Sequence, residues 1–229
     1  MLVPLDDTGT KFKVFIDQGA SIMKMGNPDI PKLSTSIIIP DNMEMEVNVT
    51  NYEYTEYANV YLAPSKGNIT RDIDPNTIPF RYGETYKEDA FYPGELAQLE
   101  DPYILRDVRG QSVIFYPIQY NPFTKVLRVY NKINVELTSS GSSFGKNILS
   151  RESGTIKTDP EFMHMYEDLF INSNNDTRFE YIADEGSMLI ICYDDFIDEM
   201  LPLVNWKNKK GIRTEIVGLE EVGSSVSSM

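Results

Sequence analysis

The side chains able to carry nucleophilic chemistry are scarce in this chain of 229 residues, which holds one cysteine, Cys192, and one histidine, His164. A thiolate–imidazole pair would need both. Cys192 lies in the apolar run of residues 188–193, where a thiol is usually a small, inert hydrophobe. His164 sits between Met163 and Met165 on a helical pattern. Both settings favour packing over catalysis. A second cluster, Asp194, Asp195, Asp198 and Glu199, offers the oxygen ligands a hard cation prefers, and helical i,i+4 spacing puts Asp194 beside Asp198 and Asp195 beside Glu199. The central glycine of a calcium loop is missing, and carboxylates at a helix start are favoured by the helix dipole alone. No phosphate-cradling glycine loop, Walker motif, nucleophile elbow or zinc spacing occurs. The residues by themselves give no catalytic centre, no cofactor and no metal site.

Charge narrows the partners. Lys and Arg total 21 against 35 Asp and Glu, a net charge of −14 and a pI near 4.5. Such a surface repels phosphate backbones and anionic lipid heads, which excludes nucleic acid as a partner. Hydrophobic residues at 41% and charged residues at 24% support a folded core rather than disorder. The longest apolar run falls far short of the ~20 residues a helix needs to cross a bilayer, so no membrane span is expected. A lone cysteine forms no internal disulfide and no thiolate cluster, and points to a bacterial rather than a secreted eukaryotic origin. The opening Met1-Leu-Val-Pro-Leu-Asp-Asp7 has neither the basic nor the apolar segment of a signal peptide, which leaves a cytoplasmic protein or a removed leader.

The elements that must position any site fall into two styles. Residues 1–150 read as strands and turns. Along residues 125–138, Leu127, Val129, Ile133, Val135 and Leu137 occupy odd positions and Arg128, Tyr130, Lys132, Asn134 and Glu136 even ones, which predicts a strand with the odd set buried and the even set toward solvent. Asn121-Pro122 supplies a turn before it, and residues 111–115 are its expected hairpin partner. Further strands are expected at 34–39, 43–50 and 56–62, and short strands between Pro and Gly turns favour a β-sandwich. The small, polar stretch 139–145 ends that region. Phe162, Met165, Tyr166, Leu169 and Phe170 then predict a helix over 161–171 that starts at Pro160. Residues 172–178 read as an exposed linker. Residues 188–193 predict a strand buried on both faces, followed by a helix with Phe196, Ile197, Met200, Leu201, Val204 and Trp206 along one side and Pro202 as an interruption. A glycine stop at Gly211 and a strand at 213–217 complete a βαβ unit, which belongs to a parallel sheet.

Several segments resemble the prodomain and early catalytic domain of the gingipain-type cysteine proteases, peptidase family C25. They are Leu62-Ala-Pro-Ser-Lys-Gly67, Phe91-Tyr-Pro-Gly-Glu95, Asp101-Pro-Tyr-Ile-Leu-Arg-Asp-Val-Arg-Gly-Gln111 and Gln119-Tyr-Asn-Pro-Phe-Thr-Lys-Val-Leu-Arg-Val-Tyr130. Past the linker, Trp206-Lys-Asn-Lys-Lys-Gly-Ile-Arg-Thr-Glu215 resembles the segment near the start of the protease domain. The resemblance spans roughly residues 25–225 in one order.

This resemblance implies a mainly β chain. A β-sandwich prodomain over 1–150 is followed by a helical segment and processing linker over 151–178 and the truncated start of a caspase-like α/β domain over 179–229. The family's catalytic His and Cys lie beyond this segment and match neither His164 nor Cys192, so the chain is expected not to be an enzyme, although its parent is. The implied partner is the cognate C25 catalytic domain, and the implied location is the cell surface or exterior. Arg178-Phe179 resembles the family's Arg-aromatic processing junction. Arg71 stands where the arginine-specific prodomains carry an arginine, at the same offset after Ala-Pro-Ser-Lys-Gly, in a polar loop bracketed by Gly67 and Pro75. It becomes the expected inhibitory contact, with Lys66 in its place for a lysine-preferring protease, and pairing with Asp72 or Asp74 as the alternative. A surface or carbohydrate-binding module would need an exposed aromatic platform, whereas most Tyr and Phe residues alternate into core positions. A free-standing protease inhibitor is the other reading.

Overall fold

Strands form where β-branched and aromatic residues alternate with polar ones between Gly, Pro and Asn turns. In the computed structural model they run, in chain order, β1 (Leu2–Pro4), β2 (Phe12–Val14), β3 (Ala20–Ser21), β4 (Pro31–Ile38), β5 (Met45–Tyr57), β6 (Ala97–Leu99), β7 (Tyr103–Leu105), β8 (Val108–Phe115), β9 (Ile118–Asn121), β10 (Val126–Ser139) and β11 (Ile156–Thr158). Then come α1 (Pro160–Leu169), β12 (Phe179–Tyr181), β13 (Met188–Cys192), α2 (Ile197–Lys209), β14 (Thr214–Gly218) and α3 (Leu219–Val222). The structure describes residues 1–5, 11–140, 146–150, 156–158, 160–175, 179–181 and 186–223. They form two compact units, Met1–Glu180 and Tyr181–Met229.

The first unit is a β-sandwich. One sheet has the order β3-β4-β8-β6 with β7 also on β8, and the other has the order β5-β10-β9. Ile37, Ile39 and Val113 of the first meet Met45 and Leu137 of the second. A neighbouring cluster of Val14, Ile30, Val60, Leu62, Ile118, Tyr120 and Leu127 ties in the N-terminal strands. Because side chains alternate across a strand, Ile38 points away from Ile37 and Ile39, and there it packs with Val108 against Tyr166 and Phe170 of the α1 region. Gly110 makes this close approach possible: a Cβ at that position would lie 2.6 Å from Phe170 Cε1 and 2.9 Å from Tyr103 Cζ.

Two polar devices close the sandwich. Asn172 donates from Nδ2 to the Ile38 carbonyl and accepts from the Ile38 N–H, each at 2.8 Å, while Ile171 N–H donates to Ser36 O at 3.1 Å. Residues 170–172 thus cover an edge of β4 that would otherwise be open. The fully buried Arg109 donates to four backbone carbonyls, those of Pro40, Met43, Lys146 and Asn147, at 2.6–2.8 Å. It fastens the segment after β10 to the turn between β4 and β5. Burial lowers its pKa, against the opposing pull of Asp41 and Glu44.

The mainly β class and the sandwich hold, and several local expectations change. Residues 111–115 belong to β8 and pair with β4 and β6, whereas the hairpin partner of β10 is β9. Tyr130 is buried although its even position was expected toward solvent, because Tyr52 and Tyr54 of β5 pack on its ring and its hydroxyl donates to Gln119 Oε1 at 2.7 Å. The strand expected at 43–50 continues to Tyr57, and residues 58–62 form no strand of their own; Val60 and Leu62 are instead core residues of an irregular segment. Asn172 and Ser173 are docked on the sandwich, Ser173 buried, and not part of an exposed linker.

In the second unit β13 and β14 pair in parallel from Met188↔Thr214 to Cys192↔Gly218, with α2 between them in sequence. Asn208 holds the return by accepting from Thr214 N–H at 2.9 Å and donating to Thr214 O at 3.1 Å. Gly211 stops the helix with φ +85°. The expected strand–helix–strand order is present, but β13 is not buried on both faces. Ile190 is buried while Leu189 and Ile191 are exposed, because only α2 covers this two-stranded sheet among the described residues. On α2, Val204 is buried and Ile197 and Met200 half-buried, whereas Leu201 and Trp206, and Phe196 just before the helix, are exposed. Pro202 sits inside the helix without ending it. No helix among the described residues is long and apolar enough to cross a membrane.

Candidate functional site

The loop of residues 66–75 grows out of a rigid base. Ala63 N–H donates to Phe12 O at 3.1 Å, Ser65 N–H to Asn27 O at 2.7 Å, and Gly26 N–H to Ser65 O at 3.0 Å, so residues 63–65 are held between two backbone segments and buried. Gly67 then turns the chain with φ +82°, and a Cβ there would lie 3.2 Å from Met25 Cβ. A side chain at that position meets both a strained backbone and an occupied space. Lys66 Nζ donates to Pro75 O at 2.7 Å and lies 4.4 Å above the centre of the Phe80 ring, which fastens the two ends of the loop. Ile73 N–H donates to Thr70 O at 3.2 Å, and Asp74 caps the short 3-10 turn that follows by accepting from Asn76 N–H at 2.9 Å. A hydrogen bond from the Thr70 side chain lowers the pKa of Asp72.

Arg71 stands at the tip of this frame, exposed, with no hydrogen-bond or ion-pair partner among the described residues. The alternative pairing with Asp72 or Asp74 is not present: Asp74 serves the following turn and Asp72 the Thr70 hydroxyl. Lys66, the second candidate, is half-buried and engaged at the loop base. Beneath the loop is a cavity of about 560 Å³ whose lining includes Lys13, Ser21, Asp29, Lys66 and Phe80. Lys13 pairs with Asp29 at 3.0 Å, and the Ser21 hydroxyl also donates to Asp29.

The other sequence candidates are placed as follows. Arg178 lies outside the described residues, and Phe179 opens β12. His164 is exposed on α1, its Nδ1 3.3 Å from Glu167 Oε2. Cys192 is half-buried at the end of β13. Asp194 accepts from Glu220 N–H at 3.2 Å at the start of α3, and among the described residues no cluster of three or more His, Cys, Asp or Glu is arranged to hold a metal ion.

Sequence reasoning missed an aromatic surface. Tyr52, Tyr54 and Tyr57 of β5, with Tyr61 and Tyr82, are exposed and not in the core. Arg128 lies between Tyr54 and Phe91, 4.4 and 3.9 Å from their ring centres, and pairs with Glu56 at 2.6 Å. The alternation of Tyr52 and Tyr54 with polar residues was the available signal, with Tyr57 on the opposite face of the strand.

The family model Propeptide_C25 matches residues 6–162. This chain belongs to the C25 propeptide family. As a C25 propeptide it is 40% identical over 213 residues to Gingipain R1 of Porphyromonas gingivalis and 38% identical to Gingipain R2, each over 92% of its length. It spans 21% and 28% of those two proteins. Among solved structures it is similar to one titled as the complex of Porphyromonas gingivalis RgpB pro- and mature domains, with a TM-score of 0.69 and 38% identity over 77% of this chain and 87% of that one. A structure titled for the zymogenic latency of gingipain K gives a TM-score of 0.52 and 26% identity over 62% of this chain and 81% of that one. The propeptide match begins at residue 6, ahead of the resemblance from about 25. It takes in β2, where Phe12 N–H donates to Tyr61 O and Phe12 O accepts from Ala63 N–H, beside Leu62 of the core.

Proposed function

We propose that this propeptide holds a C25 cysteine protease latent by presenting Arg71 to the protease's substrate cleft, that it assists the folding of that protease, and that it acts outside the cell or at its surface. The observation that carries this reading is a guanidinium, without a partner among the described residues, at the tip of a loop whose base is fixed by Lys66 and Gly67. A pre-ordered loop loses little conformational entropy on binding. A guanidinium pairs bidentately with a carboxylate at the floor of a basic-specific pocket, and removing one member of a buried charge pair costs about 2–5 kcal/mol, or ~30- to several-thousand-fold in affinity. The test is the inhibition constant of the wild-type chain and of Arg71→Ala against mature Gingipain R1. A change of less than about threefold, with an unchanged circular dichroism spectrum, removes Arg71 from the mechanism.

The same reading makes the chain itself non-catalytic and makes Arg178-Phe179 the junction between propeptide and protease, with residues 179–229 as the beginning of the protease domain. Peptide hydrolysis that requires reductant and is lost in Cys192→Ala would refute the first point. Limited digestion with an arginine-specific protease, followed by N-terminal sequencing, tests the second. A new terminus at Phe179 is the expected result, and a preferred cut inside residues 1–150 would contradict it.

A further inference from the structure

The strand β5 has β10 on one side and no strand on the other, so over thirteen residues its outer edge offers backbone N–H and C=O groups that pair with nothing among the described residues. Natural sheets guard such edges with lysine or proline. Residues 45–57 contain neither, nor any arginine, but do contain Glu46, Glu53 and Glu56. Glu53 and Glu56 are paired inward to Lys132 and Arg128, whereas Glu46, and Glu44 just before the strand, have no ion pair among the described residues. Tyr52, Tyr54 and Tyr57 stand exposed along the same strand. Tyrosines beside an arginine already stacked between Tyr54 and Phe91 have the composition of a protein-binding hot spot.

We infer that the free edge of β5 is a second docking surface for the protease domain, and that it takes up an extended, Lys- or Arg-bearing segment of that domain as an added strand. This rests on the reading of the chain as a C25 propeptide that holds its protease. Charge selects the occupant. A second copy of the chain would bring its own β5 glutamates and a net charge of −14 against this edge, and like charges placed across a strand pair oppose association. A basic segment meets Glu44 and Glu46 favourably. Chain continuity makes a joint contact possible, because Tyr57 and Lys66 are nine residues apart and their Cα atoms can be separated by no more than about 32 Å. One protease domain therefore spans both the β5 edge and the loop that carries Arg71, and binding at each raises the effective concentration at the other.

The experiment measures amide hydrogen exchange of the full chain, alone and saturated with Gingipain R1 protease whose nucleophilic thiol has been replaced. It is run beside binding titrations of Glu46→Lys and Tyr52→Ala at two salt concentrations. Slowed exchange across residues 46–57 on complex formation is expected, with Glu46→Lys binding about tenfold more weakly and with less salt dependence. If the complex forms and Arg71→Ala weakens it, while β5 exchange and both β5 variants stay as wild type, the edge inference falls and the inhibitory-loop reading stands. If no complex forms, both fall. Slowing of β5 exchange that rises with the concentration of the chain alone would assign the edge to a second copy and overturn the inference.

Discussion

Lys66 donates from its ammonium group to the carbonyl of Pro75 at 2.7 Å, across the base of the loop whose tip carries Arg71. One cation holds the loop's shape and leaves the other free. Lys66→Met removes that hydrogen bond and the contact with Phe80, worth about 1 kcal/mol each at a partly exposed site. Inhibition of Gingipain R1 then weakens roughly five- to thirtyfold, less than in Arg71→Ala. Inhibition constants measured in parallel check this, and a larger loss at Lys66 would exchange the two roles.

Gly110→Ala places a methyl group within 3 Å of both Phe170 and Tyr103. These rings stack on each other at 6.3 Å and Phe170 is fully buried, so the clash moves α1 off β8 at a cost of about 1–3 kcal/mol. Thermal unfolding should shift down by roughly 2–4 °C per kcal/mol, and amide exchange in α1 should accelerate before that in β10. Equal acceleration in both would mean that α1 is not the element displaced.

Arg109→Met leaves the carbonyls of Pro40, Met43, Lys146 and Asn147 facing an apolar side chain. The unfolding free energy should drop by about 3 kcal/mol or more, since each buried acceptor left without a donor costs about 1–3 kcal/mol. Arg109→Lys should recover only part of this, because one ammonium cannot reproduce the fork that reaches four oxygens. Urea denaturation of both variants gives the comparison.

Tyr86 donates its phenol to Leu62 O at 2.9 Å, and burial raises its pKa far above the ordinary 10.0. Burial likewise raises Tyr116, Tyr120 and Tyr130. The folded state therefore keeps protons that the unfolded chain releases near pH 10. Stability is fully present below that pH and declines as pH rises beyond it. Unfolding free energies measured from pH 8 to 11 should fall with a slope that Tyr86→Phe makes shallower. A flat profile would show these phenols to be as free to ionise in the fold as outside it.

Patterns that depend on neighbours in sequence were legible. The helix over 160–169 follows from Tyr166 and Phe170 at helical spacing, and β10 follows from its alternation. What was not legible depends on distant partners. Tyr130 is buried because Tyr52 and Tyr54 of β5 cover it, and β8 lies in the opposite sheet from β10, which periodicity cannot report. Arg109 reads as a surface residue in sequence because its partners are main-chain carbonyls from two other segments. The loop with Arg71 was visible through Gly67 and Pro75 and through resemblance, but the role of Lys66 as a clamp was not, since it needs the distance to Pro75. The exposed tyrosines of β5 depart from the expectation that most Tyr and Phe residues alternate into core positions, because alternation tells two faces apart without telling which one is covered.

Asn172 seals the sheet edge with residues that all precede the proposed junction at Arg178. A cut there leaves these contacts in place and separates β12 from β11, the strand of the first unit with which it pairs. On the proposed reading the released piece keeps the sandwich and the loop that carries Arg71, and what changes is its local supply. Tethered, it faces the protease at an effective concentration of about millimolar; severed, it is present only at the concentration of the surrounding medium. If the junction is cut as proposed, dilution becomes the trigger: the same cleaved pair stays silent in a confined space and becomes active on release into a large volume.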